Sequence, residues 1–146
     1  MGSGVEGGRK VGTVLKIESP DRNPGYEAQM ARGGQPCFVG RPTPYIIKPG
    51  LIVTRAIAGQ QQGFIGWQGM TLYLGDVLHA VEGTTAVLEW GIGGRHAIGS
   101  GRTVKLNGQR DAMTLDGSAL DTLRKMWAVL PPESVLQQLG PGGIEG

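Results

Sequence analysis

Residues 69–106 read GMTLYLGDVLHAVEGTTAVLEWGIGGRHAIGSGRTVKL, and this stretch decides the fold. Short apolar runs alternate with glycine-centred turns, and no run is long enough for a helix to settle. The pattern predicts a chain folding back on itself in strands of about four to six residues. Within 85–90, Ala86, Leu88 and Trp90 share one face and Thr85, Val87 and Glu89 the other, so the first set is expected inward. Gly75-Asp76 reads as a turn in which glycine supplies a positive φ and aspartate caps backbone donors. Glu82-Gly83 is expected to close a hairpin from 77–81 into 85–90. Asn107-Gly108, the strongest two-residue hairpin signal here, should pair 103–106 with 109–114. The segments starting at Ile92 and Ile98 echo each other, which points to stacked rungs or tight hairpins.

Upstream, apolar runs at 45–48 and 51–57 are split by Pro49-Gly50, and runs at 63–67 and 71–74 by Gln68-Gly69. Residues 19–44 have little periodicity. They hold Ser19-Pro20, Asn23-Pro24-Gly25, Gly33-Gly34, Gln35-Pro36, Arg41-Pro42 and Thr43-Pro44. Each residue before a proline is pushed to extended geometry. A structureless loop of that length is uncommon inside a compact domain. Residues 1–44 are therefore expected to form an extended Pro/Gly-rich arm, with one strand at 11–18 that tolerates Gly12.

Downstream of Asp116-Gly117 the period changes. Ser118 suits an N-cap, with Asp121 three residues on. Leu120, Leu123, Met126, Trp127 and Leu130 recur at helical spacing. Pro131-Pro132 ends that helix and can begin another, whose apolar face is Val135, Leu136 and Leu139. Gly140-Pro141 ends the second. The chain thus divides into an arm (1–44), a β module (45–116), a pair of short helices (117–140) and a tail (141–146). The expected class is mainly β: a small roll or sandwich of short strands, with an extended N-terminal arm and a C-terminal helical hairpin.

Composition fits that division. The 146 residues include 27 glycines with no collagen period, so the glycines are turn and close-packing positions. Net charge is +2. Residues 1–55 hold eight Lys/Arg against four Asp/Glu, so the proposed arm is basic. Basic and aromatic residues do not interleave, which argues against nucleic acid. No apolar run approaches membrane-spanning length, so no membrane insertion is expected. Met1-Gly2-Ser3-Gly4 lacks the basic and apolar regions of a signal peptide.

Catalytic patterns fail one by one. His79 and His96 sit on strands beside apolar residues, without partners at ligand spacing. With two histidines and Cys37 alone, no structural zinc site is expected. Asp76, Glu82 and Glu89 do not make a glycosidase pair, because Asp76 and Glu82 fall in turns. Ser100 lies outside a G-x-S-x-G elbow. The run from Gly91 misses G-x-G-x-x-G spacing. Cys37 reads as a small hydrophobe. No catalytic residue, cofactor site or metal site is expected. Arg95, Arg102 and Arg110 are spaced along successive strands, where a row on one face could grip acidic groups. With Trp127, Leu136 and Leu139 they form the expected interaction surface.

The pattern G-x-x-L-x-x-G-D-x-L, then A-x-L, then G-G and I-G, then V-x-L resembles the FecR-type β domain. Its residues here are Gly69, Leu72, Gly75, Asp76, Leu78, Ala86, Leu88, Gly94, Ile98, Gly99, Val104 and Leu106. The resemblance covers residues ~53–110. It implies a non-enzymatic β domain of the kind found in cell-envelope signalling proteins.

Two functions follow as expectations. The first is a non-catalytic structural subunit of a larger assembly, a virion component or another repeating array. Its partners would be copies of itself or other subunits, met through arm and C-terminal helices. The alternative is a FecR-like cell-envelope sensor or ligand-binding module. It places the chain at the envelope if Met1-Gly2-Ser3-Gly4 stands where an export signal belongs.

Overall fold

Alternation of small turns and short apolar runs produces two antiparallel sheets with one core between them. The computed structural model describes residues 9–20, 24–39 and 49–127. Its strands are β1 (Lys10–Glu18), β2 (Leu51–Ile57), β3 (Gln60–Ile65), β4 (Thr71–Tyr73), β5 (Val77–Ala80), β6 (Thr85–Trp90), β7 (Arg95–Ile98), β8 (Thr103–Gly108) and β9 (Asp111–Thr114). The helices are α1 (Pro24–Ala31) and α2 (Gly117–Trp127). One sheet has the order β4-β1-β6-β7, the other β3-β2-β5-β8-β9.

The inward faces obey the two-residue period. Ala86, Leu88 and Trp90 are buried, as their alternation predicts. They meet Val11, Val14 and Ile17 of β1, Leu51 and Val53 of β2, Leu78 and Ala80 of β5, and Val104 and Leu106 of β8. Because both sheets contribute to this cluster, the body is a sandwich.

The five-stranded sheet is also covered on its outer face. Tyr26 and Met30 of α1 pack on Ile65 of β3, beside Trp67, Cys37 and Val39. Trp127 of α2 reaches Gly63, where it and Val39 would both lie 3.5 Å from an added Cβ. Burial on both faces explains why β2 opens and β5 runs with no exposed residue.

Four expectations are corrected. First, residues 11–18 do not belong to an arm. β1 is an interior strand, pairing with β4 on one side and β6 on the other. Gly12 is required there rather than tolerated, since a Cβ would lie 2.5 Å from the Glu89 carbonyl oxygen. Second, 19–44 is not wholly extended, because α1 falls within it and packs on the body. Third, Glu82-Gly83 does not close a hairpin: β5 and β6 lie in different sheets, so this turn carries the chain across the sandwich. Fourth, β7 and β8 also lie in different sheets, so the echoed segments are not stacked rungs.

The β8–β9 hairpin forms, but Gly108 pairs with Asp111, so the two-residue turn is Gln109-Arg110. Among the described residues the hairpins are β2–β3, β6–β7 and β8–β9. The expected second helix with Leu136 and Leu139, the tail, the run at 45–48 and the first eight residues lie outside the described residues. No helix among the described residues is long and apolar enough to cross a membrane.

Candidate functional site

Most of the polar side chains buried in this body gather on and around the five-stranded sheet, in two groups, while Thr84 is buried apart from them in the turn between β5 and β6. The first closes one end of the core. Arg55 shares the inward parity of Leu51 and Val53 on β2. Its Nε donates to Asp76 Oδ1 at 2.9 Å and its Nη2 to Asp76 Oδ2 at 2.7 Å. Nη2 also donates to the Thr71 carbonyl at 3.1 Å. The guanidinium lies 4.7 Å from the Tyr73 ring centroid and 5.4 Å from that of Phe64. Asp76 accepts the Tyr73 amide through Oδ2 at 2.9 Å.

This is the turn in which glycine was expected to take positive φ and aspartate to cap. Gly75 has φ +91°, and the Asp76 carboxylate caps Tyr73. Burial pushes the Asp76 carboxyl up from its ordinary value, against the downward pull of Arg55 and the Tyr73 amide. Its charge is spent on fixing Arg55 and the turn.

The second group sits under α2 on the outer face. His79 Nδ1 and Thr103 Oγ1 are 2.7 Å apart, on directly opposed residues of β5 and β8. The His79 ring stacks on Trp127 with centroids 4.7 Å apart and planes 29° from parallel. Trp127 Nε1 donates to Thr54 Oγ1 at 3.0 Å. Burial, and then the nearby Arg124 charge, hold the imidazole below its ordinary pKa. A hydroxyl at hydrogen-bond distance from an imidazole is the pairing that activates nucleophiles. Here Thr103 is 1% exposed and the indole lies over the imidazole, so the pair faces protein rather than a cleft.

Tyr26 ties α1 to the sheet. Its hydroxyl donates to the Ile65 carbonyl and accepts the Cys37 amide, each at 3.1 Å, and burial pushes the phenol up to about 12. No group of three or more His, Cys, Asp or Glu that could hold a metal ion occurs among the described residues.

The arginines separate. Arg110, in the β8–β9 turn, donates from Nε to the Gly93 carbonyl at 3.2 Å, which brings it to the β6–β7 turn where Arg95 begins β7. Arg95 opposes Glu89 across the strands. Arg102 stands in the turn after β7, at the far end of β8 from Arg110. Arg95 and Arg110 are thus close, and Arg102 stands apart from them along the chain. Trp127 is half-buried against its own sheet. Leu136 and Leu139 lie outside the described residues.

Sequence reasoning passed over Arg55, Thr54 and Thr103. One signal was present: a charge inside the apolar run LIVTRAI, in phase with its core residues. Nothing local marks the partner of such a charge. No protein-family model matches the chain, and no curated protein or solved structure matches it.

Proposed function

We propose that this chain is a non-catalytic structural subunit that works by contact with other protein chains in a repeating assembly. The observation that carries this reading is how the buried polar side chains are used. Arg55 and Asp76 hold each other, His79 holds Thr103 and Trp127, and Tyr26 holds Ile65 and Cys37. Each of these groups is engaged by side chains or backbone of the same body, and Asp76, His79, Thr103 and Tyr26 are buried. Meanwhile Leu74, Ile92 and Met113 are large hydrophobics exposed by 40%, 56% and 46%, beside a turn, in a turn and on a sheet edge.

The arm no longer supports this reading over residues 11–18, because β1 is spent inside its own sheet. Contact is therefore assigned to turns, sheet edges and the α2 side. Sedimentation velocity over a concentration series of the full chain tests the proposal. A sedimentation coefficient that rises with concentration supports it. A constant monomer value at all concentrations overturns it.

A second reading, a FecR-like envelope module, draws on the Gly75-Asp76 turn. Gly75 takes a positive φ and Asp76 caps Tyr73 there, and the reading itself rests on the sequence resemblance. Capture of a secreted ligand, rather than self-association, would be its signature.

A further inference from the structure

The two sheets have four edges, and the chain treats them differently. The β3 edge is sealed by the chain itself: Val39 donates to the Gly63 carbonyl, Ile65 donates to the Cys37 carbonyl, and Phe38 bridges to Phe64. β4 has three residues. β7 begins with Arg95, and a charge on an edge discourages pairing. β9, Asp-Ala-Met-Thr, also begins with a charge, Asp111, but has no lysine, arginine or proline, and among the described residues it pairs only with β8. Met113 on it is 46% exposed.

The register shows which groups β9 leaves open. Leu106 donates its amide to the Asp76 carbonyl, toward β5, so Lys105 turns its amide and carbonyl toward β9. Leu115 donates to the Thr103 carbonyl. Met113, two residues before Leu115 and opposite Lys105, therefore bonds toward β8. Ala112 and Thr114 then point their N–H and C=O groups outward, away from the sheet.

We infer that the β9 edge is an interface between two copies of this chain, paired antiparallel about a twofold axis at Met113. In that register Ala112 and Thr114 of opposite copies exchange N–H and C=O bonds, four in all by symmetry. Met113 meets its own mate as a non-hydrogen-bonded pair, the closer of the two pair types. The two five-stranded sheets join into one continuous sheet. The occupant is a second copy because opposite charges stand at equal spacing on the two sides of Met113. Arg110 comes level with Asp116 of the second copy, twice by symmetry, and Asp111 comes level with Leu115 of the second copy rather than with a like charge. This inference rests on the reading of the chain as an assembling subunit and names the contact it uses.

Sedimentation equilibrium of the full chain, with circular dichroism to confirm folding, tests it through three variants. Thr114→Pro removes an outward donor and leaves the β8 pairing intact, because proline is tolerated where its nitrogen faces away from the sheet. It should weaken dimerisation at least tenfold. Arg110→Asp alone should weaken it, and adding Asp116→Arg should restore it. Met113→Cys should give a disulfide-linked dimer through position 113 on mild oxidation, seen by peptide mapping. Association unaffected by Thr114→Pro, or no rescue by the charge reversal, overturns the β9 interface and leaves the assembly reading standing on another surface. A chain that stays monomeric throughout overturns both.

Discussion

Arg55 and Asp76 form a two-pronged ion pair at one end of the core, with side chains 11% and 2% exposed. The pair joins β2 to the turn before β5, and Arg55 adds a bond to the Thr71 carbonyl at the start of β4. One guanidinium thus ties together three parts of the chain that belong to two sheets.

Removing one partner strands the other charge in the core, which typically costs about 3–5 kcal/mol. Asp76→Ala also leaves the Tyr73 amide without its acceptor, so it should fall at the upper end. Asp76→Asn can keep that acceptor while losing the charge, and should cost less. Urea unfolding measures both. A loss under about 1 kcal/mol for Asp76→Ala would show that the pair contributes little.

Gly12 carries the second prediction. The β1 and β6 backbones approach so closely there that a Cβ would sit 2.5 Å from the Glu89 carbonyl oxygen and 3.4 Å from the Trp90 Cα. Backbone cannot swing aside like a flexible side chain. Gly12→Ala should cost about 1–3 kcal/mol, the usual range for overpacking. Gly25→Ala, at an exposed position of α1 with no atom within 4 Å of its added Cβ, serves as the control and should be neutral or stabilising. Equal thermal midpoints for the Gly12→Ala variant and the parent chain would refute the close approach.

The sequence shows which residues of a strand face inward, but not which sheet the strand joins. Ala86, Leu88 and Trp90 were legible because a period of two needs no long-range information. The crossing at 81–84 was not, since a turn that starts a hairpin and one that switches sheets use the same residues. β1 looked like part of an arm because prolines and glycines follow it, yet its neighbours β4 and β6 come more than 50 residues later. α1 was missed because its eight residues bury only Tyr26 and Met30, too few for a periodic signal. At the site, Trp127 stood out as part of an apolar helical face. Its hydrogen-bond acceptor, Thr54, lies 73 residues away and carries no local mark.

A third prediction concerns the β2–β3 turn. Ala58 has φ +54° and is followed by Gly59 at φ +80°. Two successive positive φ angles make the turn that two-residue hairpins favour, and alanine is poorly suited to it. A left-handed conformation costs an L-residue roughly 1–2 kcal/mol. Ala58→Asn should recover about 1 kcal/mol, because asparagine tolerates this region, and Ala58→Gly should also gain. Position 58 is exposed, so the gain should appear as a higher thermal midpoint without change in association. A Ala58→Val variant should lose stability, and a gain there would contradict the assigned geometry.

The last prediction follows from His79. Burial comes first among the causes that lower its pKa, and the Arg124 charge second. A depressed folded-state pKa means the unfolded chain takes up the proton more readily than the folded one. The stability linked to neutral His79 is therefore fully present above the ordinary histidine pKa near 6.5. It is lost as pH falls from there through the lower folded value. The imidazolium would also place a second cation beside Arg124 and cost Nδ1 any role as an acceptor from Thr103. Urea midpoints measured between about pH 8 and pH 5 should fall on the acid side. His79→Gln, which can still bond Thr103 but does not titrate, should flatten that fall. Trp127 stacks on the same ring, so its emission should track the transition in the parent chain and not in the variant. An acid-side slope unchanged by His79→Gln would show that another group carries the effect, and not Asp76, whose raised carboxyl acts in the opposite sense.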